Sequence, residues 1–312
     1  MDFFENLPHV NFMSRRKPFM ALSAILVLLS LAALFGGMLK FGIDFTGGTV
    51  VELVYPQPAD LGGIRKALAG SDFKDALVQN FGSTRDVLVR MVPKKGMTSA
   101  QISSQILDLL KGVGGGKPQL RRVDFVGPQV GSELKENGGL ALIFALIGIL
   151  IYVAARFEMR LAFGAVVATV HDTVITLGLF TLTGMDFDLV TLAGVLAVIG
   201  YSVNDTVVVY DRIRENFIKM RRGTPEEIVN LAMNQTLSRT LMTSGATLLS
   251  VIALYLFGGK VIHGFSFVLL VGILVGTYSS IYVASAMALT LGFSRADLLP
   301  VKKEGADIDG RP

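Results

Sequence analysis

Residues 189–210 read LVTLAGVLAVIGYSVNDTVVVY, an apolar run with a carboxylate, Asp205, set near its end. At about 1.5 Å per residue such a run crosses a hydrocarbon core of about 30 Å. An acid inside such a helix costs about 2.5–3.5 kcal/mol on insertion scales, so these acids face a bundle interior and usually handle protons or ions. Fold class and chemistry both start from this segment.

The pattern recurs at residues 19–39, 138–155, 161–182, 237–257 and 264–291, giving an α-helical polytopic membrane protein with six transmembrane helices. Composition agrees: 51% apolar residues, 17% charged residues and a mean hydropathy of +0.56 exclude an ordinary soluble domain. The net charge of +4 and pI near 9.2 come from basic residues at the ends of apolar runs, which points to membrane topology and away from nucleic acid. Without cysteine the chain has no disulfides, no thiolate catalysis and no Cys-ligated metal. The first apolar run is longer than a signal-peptide core and no A-x-A site follows it, so it reads as a retained anchor.

Orientation follows from the positive-inside rule. Arg15, Arg16 and Lys17 precede the first span; Arg156 and Arg160 fill the second-to-third turn. Arg212, Arg214, Lys219, Arg221 and Arg222 separate the fourth and fifth; Arg295, Lys302 and Lys303 follow the sixth. The opposite connections, 183–188 and 258–263, hold one lysine between them, Lys260. The amino-terminal tail (1–18), the linker 211–236 and the carboxy-terminal tail (292–312) are therefore expected in the cytoplasm.

The hydrophilic block 40–137 then lies outside. Strands are expected at 49–55, 76–81, 86–92 and 119–126, with the turn Gly82-Ser83-Thr84-Arg85 joining the middle pair, and helices at 61–69 and 99–111. The order β-α-β-β-α-β is that of a small ferredoxin-like α+β domain. Its two helices would cover one sheet face and leave the other free for a partner or a neighbouring domain. In the linker, Gly223 is placed to end one short helix, and Thr224, Pro225 and Glu227 start another that would lie along the membrane surface and lead into span five.

Besides Asp205, span four carries Tyr201, Ser202, Asn204 and Thr206; Gly194, Ala197, Tyr201 and Asp205 fall near one helical face. Span five carries Arg239 and a stripe of Thr240, Thr243, Ser244, Thr247 and Ser250, expected to face protein. Asp205 lies about 9 Å inside the span, counted at 1.5 Å per residue from Asp211, the first charged residue beyond it. Arg239 enters from the same side, so an ion pair with Asp205 is expected, although alone it would snorkel to the headgroups. His171 and Asp172 sit near the middle of span three, either as a second protonatable position or as hydrogen-bonded packing groups. Asp186 and Asp188 read as interfacial.

Three motifs, IGYSVNDTVVVYDRIREN (199–216), QTLSRTLMTS (235–244) and FGIDFTGG (41–48), stand in a chain that resembles the SecF family. These are the smaller membrane subunits of the SecD and SecF accessory complex of the bacterial Sec translocase, relatives of the resistance-nodulation-division transporters. The resemblance covers nearly the whole chain and shows no departure from the pattern. It implies a multi-pass inner-membrane protein that pairs with SecD and works beside SecYEG, YajC or YidC on a translocating preprotein. It further implies coupling to the proton motive force at Asp205 and Arg239, with no cofactor and no enzymatic activity. Gly42, Asp44, Gly47 and Gly48 mark the junction between the first span and the outer domain, where glycines admit positive φ and Asp44 caps or orients the turn.

The resulting expectation is that Asp205 alternates between an ionised state paired with Arg239 and a protonated state that releases it. A proton crossing 100 mV releases about 2.3 kcal/mol, comparable to the gap between typical conformers. The rivals are a proton-coupled exporter of lipids or small molecules, of which six spans and one small outer domain supply only half, and a purely structural scaffold. An intramembrane aspartyl protease built on Asp172 and Asp205 lacks the Gly-x-Gly-Asp setting.

Overall fold

A computed structural model of the chain describes residues 10–92, 97–220 and 222–298. Much of both expected tails, together with Arg221, Lys302 and Lys303, lies outside these residues.

The first long helix, α1 (Arg16–Phe35), leads to a short strand, β1 (Lys40–Phe41), and a single turn, α2 (Ile43–Thr46). The outer domain follows as β2 (Gly48–Val54), α3 (Leu61–Ala69), β3 (Leu77–Phe81), β4 (Ser83–Met91), α4 (Ser99–Leu109) and β5 (Gln119–Val126). All its strand pairs are antiparallel, in the order β3-β4-β2-β5. Alternation drives the layering: Val51, Leu53, Val87 and Val89 pack against Ile64, Leu68, Ile102 and Ile106 on one face. The expected four-residue turn between β3 and β4 is far tighter. Ser83, Thr84 and Arg85 belong to β4, and Gly82 makes the reversal alone at φ +78°.

From β5 the chain enters the membrane part through α5 (Pro128–Arg156), α6 (Met159–Thr183), β6 (Asp186–Phe187), α7 (Leu189–Lys219), α8 (Pro225–Phe257) and α9 (His263–Ser279). A π-helical turn (Ser280–Ala284) and α10 (Ser285–Thr290) complete the last span. Six helical stretches are long and apolar enough to cross a membrane. In the bundle α6, α7 and α9 are central, while α1, α5 and α8 are largely exposed. Small residues allow the central contacts: a Cβ at Gly272 of α9 would collide with Val198 of α7, and one at Gly178 of α6 with Ser30 of α1.

Both short helices expected in the linker form, and the second leads into span five as read, but neither is a separate element. α7 continues to Lys219 and α8 begins at Pro225, so each linker helix is an unbroken extension of its span. The start signal acts as read: Thr224 and Glu227 close a capping box with Pro225 at the first helical position. The extension stays in register with the bundle because Ile228, Val229, Ala232 and Met233 are buried in its core. That burial holds the helix against the bundle.

Two contacts seat the outer domain. At its base β1 pairs in parallel with β6, and Arg90 of β4 donates to Phe41 O (2.5 Å) and Thr46 Oγ1 (2.8 Å) and pairs with Asp186 (3.4 Å). Burial pushes the Asp186 carboxyl up, against the opposing pull of Arg90 and Lys40. The turns at Gly47 and Gly48 take φ +67° and +136°, and a Cβ on either would strike the backbone of Pro128 or Met91. Asp44 does not serve its own turn. Its Oδ2 accepts from the Leu189 N–H (2.9 Å), fastening the junction to the start of α7, whose own cap is Asp188.

The second contact lies on the sheet face opposite α3 and α4. Lys260, in the connection between α8 and α9, donates to Asp86 (2.7 Å), lies 4.0 Å from Glu52 and sits over the Phe81 ring at 4.5 Å. Arg121 joins the same acids at 3.3 and 3.8 Å. The Lys260 hydrogen bond holds the Asp86 carboxyl below its usual range. The face expected to be free is thus partly occupied by the chain's own outer loop.

Candidate functional site: buried carboxylates of the helical bundle

α7 turns Val198, Ser202, Asp205 and Val209 into the bundle, one or two turns apart. Asp205 is 6% exposed. Its Oδ1 accepts from Thr240 Oγ1 of α8 (2.9 Å) and its Oδ2 from Ser280 Oγ (2.8 Å). Each carboxylate oxygen therefore has a neutral hydroxyl donor.

Arg239 is not one of its partners. It is exposed, and among the described residues no ion pair joins it to Asp205. The reason is angular. Neighbours on an α-helix are 100° apart, and Thr240 occupies the direction that faces Asp205. The depth estimate placed Arg239 at a suitable height but left its azimuth open.

The polar stripe of span five divides in the same way. Thr240 and Ser244 are buried, whereas Thr243 and Ser250 are exposed and bond to carbonyls of their own helix, as does the half-buried Thr247. Tyr201 donates to Ser244 (3.2 Å), and the Ser244 hydroxyl lies 2.9 Å from that of Thr277. Asn204 is exposed, and the buried Thr206 hydroxyl has no hydrogen-bond partner among the described residues. Ala197, expected on the buried face, is exposed, because the face that turns inward runs through Val198 and Ser202.

Asp172 is fully buried on α6. Ser202 and Ser279 donate to its Oδ2 at 2.5 and 2.7 Å, and His171 Nδ1 lies 2.8 Å from its Oδ1. The consecutive residues Ser279 and Ser280 thus serve two different acids, at the point where α9 widens into the π-turn. Neither serine was singled out in the sequence. The available signal was the polar cluster Thr277-Tyr278-Ser279-Ser280 inside an otherwise apolar run.

Residues 105–294 match the family model described as protein export membrane protein SecD/SecF, C-terminal, and residues 33–59 match the SecD/SecF GG motif. A protein translocase subunit SecF from Vibrio alginolyticus is 51% identical over 97% of both chains. Its counterpart from Escherichia coli O157:H7 is 48% identical over 92% of this chain and 90% of that one. The chain belongs to the SecF family. A SecF from Pseudomonas aeruginosa is 45% identical over 97% of this chain and 98% of its own length. Among solved structures, SecDF of Thermus thermophilus, described as a translocon-associated membrane protein, is 36% identical with a TM-score of 0.81 over 91% of this chain. SecDF in a super-membrane-facing form matches with a TM-score of 0.69 at 36% identity. This SecF-family chain spans 39% of each of those longer chains.

Proposed function

We propose that the chain is an accessory subunit of the Sec preprotein translocase that, with SecD, uses the proton motive force to promote late steps of translocation across the inner membrane. The observation that carries this reading is Asp205, an acid enclosed in an apolar bundle whose hydrogen-bond donors among the described residues are hydroxyls. A hydroxyl can donate to a carboxylate or accept from a carboxylic acid, so the cradle accommodates both protonation states. The activity is transport, with no catalysed reaction.

Pairing with SecD is supported by one outer face of the bundle. Ala193, Ala197, Gly200 and Asn204 lie exposed at helical spacing on α7, and Arg239, Thr243, Ala246 and Ser250 do so on α8. Small residues favour close helix approach, and an intramembrane arginine calls for a partner acid. Arg239 is assigned to that interface, where a carboxylate of SecD would complete what Asp205 does not supply. His171 and Asp172 are the next buried titratable groups inward. Work beside SecYEG and YajC or YidC, and contact with the preprotein, follow from family membership.

The domain plan read from the sequence is kept as part of the proposal: cytoplasmic termini, six spans, an extracytoplasmic block over 40–137 and a cytoplasmic linker. Arg16, Arg156, Arg160 and Arg214, each ion-paired at one end of the bundle, support this orientation. The strand order β3-β4-β2-β5 with both helices on one face supports a ferredoxin-like unit. The test is Asp205→Asn. The variant is expected to assemble with SecD and lose proton-dependent stimulation of secretion, and full stimulation would remove Asp205 from the mechanism.

A further inference from the structure

His171 has a ring nitrogen whose hydrogen-bonding position is unfilled among the described residues. Its side chain is 6% exposed, Nδ1 faces Asp172 at 2.8 Å, and Nε2 has no hydrogen-bond partner among the described residues. Leaving a buried ring nitrogen unpaired costs about 1–3 kcal/mol, which helix packing alone gives no reason to bear. Either tautomer leaves the same nitrogen open, because Asp172 takes up the other one.

We propose that His171 and Asp172 form a second proton-binding site, loaded through His171 Nε2 and coupled to Asp205 by the π-turn of the last span. This rests on the reading of Asp205 as the proton-coupling residue. In the loading step an incoming proton bonds to the Nε2 lone pair while the Nδ1–H bond breaks and its proton passes to Asp172 Oδ1. The products are the neutral Nε2–H imidazole and a neutral carboxylic acid. One proton enters, one buried negative charge disappears, and no other reactant is consumed.

The surroundings suit that exchange. From α9, Tyr278 stacks near the imidazole with ring centroids 6.3 Å apart, and its hydroxyl is engaged with Phe19 O and Ser23. From α7, Ser202 donates to Asp172, and Asp205 lies on the same helix three residues on. Among the described residues no lysine or arginine pairs with Asp172, so no fixed cation pins it in the ionised state.

Coupling follows from the two serines. In a regular helix Ser279 and Ser280 would point 100° apart with no shared constraint beyond the backbone. Here both sit at the edge of a π-turn, a feature that recurs at functional sites and fixes the phase of the helix beyond it. A hydroxyl donates more strongly to a carboxylate than to a neutral acid. Protonating Asp172 therefore loosens Ser279, and the turn that relaxes is the one holding Ser280 against Asp205.

The experiment is infrared spectroscopy of the full SecD–SecF complex in membranes, following the carbonyl stretch of protonated carboxylic acids as pH is lowered. Asp172→Asn is expected to remove one pH-dependent band that persists in Asp205→Asn. Ser279→Ala is expected to move the midpoints of both bands, each by about one pH unit, the size of shift that loss of a hydrogen bond to a carboxylate produces. Identical pH-dependent spectra for wild type and Asp172→Asn would overturn the second site, and a Ser279→Ala shift confined to the Asp172 band would overturn the coupling. If Asp172→Asn does not assemble, His171→Gln decides, since an unmoved Asp172 midpoint there rules out loading through Nε2. None of these readings depends on secretion, so their failure is distinct from a failure of Asp205 to drive export.

Discussion

Asp205 is cradled by Thr240 and Ser280, and among the described residues no guanidinium joins that cradle, which changes what the site does. Arginine only donates, so it would favour one protonation state; hydroxyls serve both. Thr240→Val keeps the side-chain shape and removes one donor, a change of about 1–3 kcal/mol at a buried site. Stimulation of secretion is expected to fall roughly tenfold, the equivalent of 1.4 kcal/mol, with Thr240→Ser restoring it and assembly with SecD unaffected. Equal stimulation by Thr240→Val and wild type would mean the hydroxyl contributes nothing. Asp205 was legible in the sequence because a charge in an apolar run is costly wherever the helix points. Its partners were only half legible: depth along an axis can be counted, but the side of α8 that meets α7 is set by packing. Serines in the last span carry too small a hydropathy signal to announce themselves.

At the level of elements, the spans and the outer-domain strands were readable because periods of 3.6 and 2 separate cleanly in this chain. Caps were readable too, Thr224 with Glu227 most clearly. The continuous extension of α7 and α8 beyond the apolar runs was not, since their buried faces there are narrow and lie among charged residues. Nor was the π-turn, next to which neighbouring serines reach two different acids. The contact between α7 and α9 is the tightest constraint on the site, and Gly272 permits it. Gly272→Ala would press a methyl group into Val198, and overpacking of this kind costs typically about 1–3 kcal/mol. Thermal unfolding in detergent is expected to shift downward for Gly272→Ala and to hold or rise for Gly245→Ala, where a Cβ meets open space and alanine is the better helix former. Equal behaviour of the two variants would contradict this packing.

Across the whole molecule, the lone lysine of the outer connections finds its place. Lys260 joins the membrane bundle to the sheet through Asp86 and Glu52, which gives the single lysine of the connections 183–188 and 258–263 a structural role. Because Lys260 holds the Asp86 carboxyl below its usual range, the pair stabilises docking above the ordinary carboxylate range. That contribution fades as pH falls through the depressed value. The chain has no cysteine, so spin labels at Lys74→Cys and Leu182→Cys report the distance between the two parts without interference. The distance distribution is expected to broaden in Lys260→Met at neutral pH and in the otherwise unmodified chain in acid; a distribution unchanged in both would contradict the latch. Movement of the outer domain matters only if proton occupancy in the bundle drives it, and that link is the centre of the account. Vesicles containing the SecD–SecF complex, with wild-type Asp205 or Asp205→Asn, can be given a proton gradient or a sodium gradient separately while precursor translocation is followed. The account predicts stimulation of the wild type by the proton gradient alone and none in Asp205→Asn under either gradient; stimulation of Asp205→Asn to the wild-type level, or of the wild type by sodium alone, would contradict it.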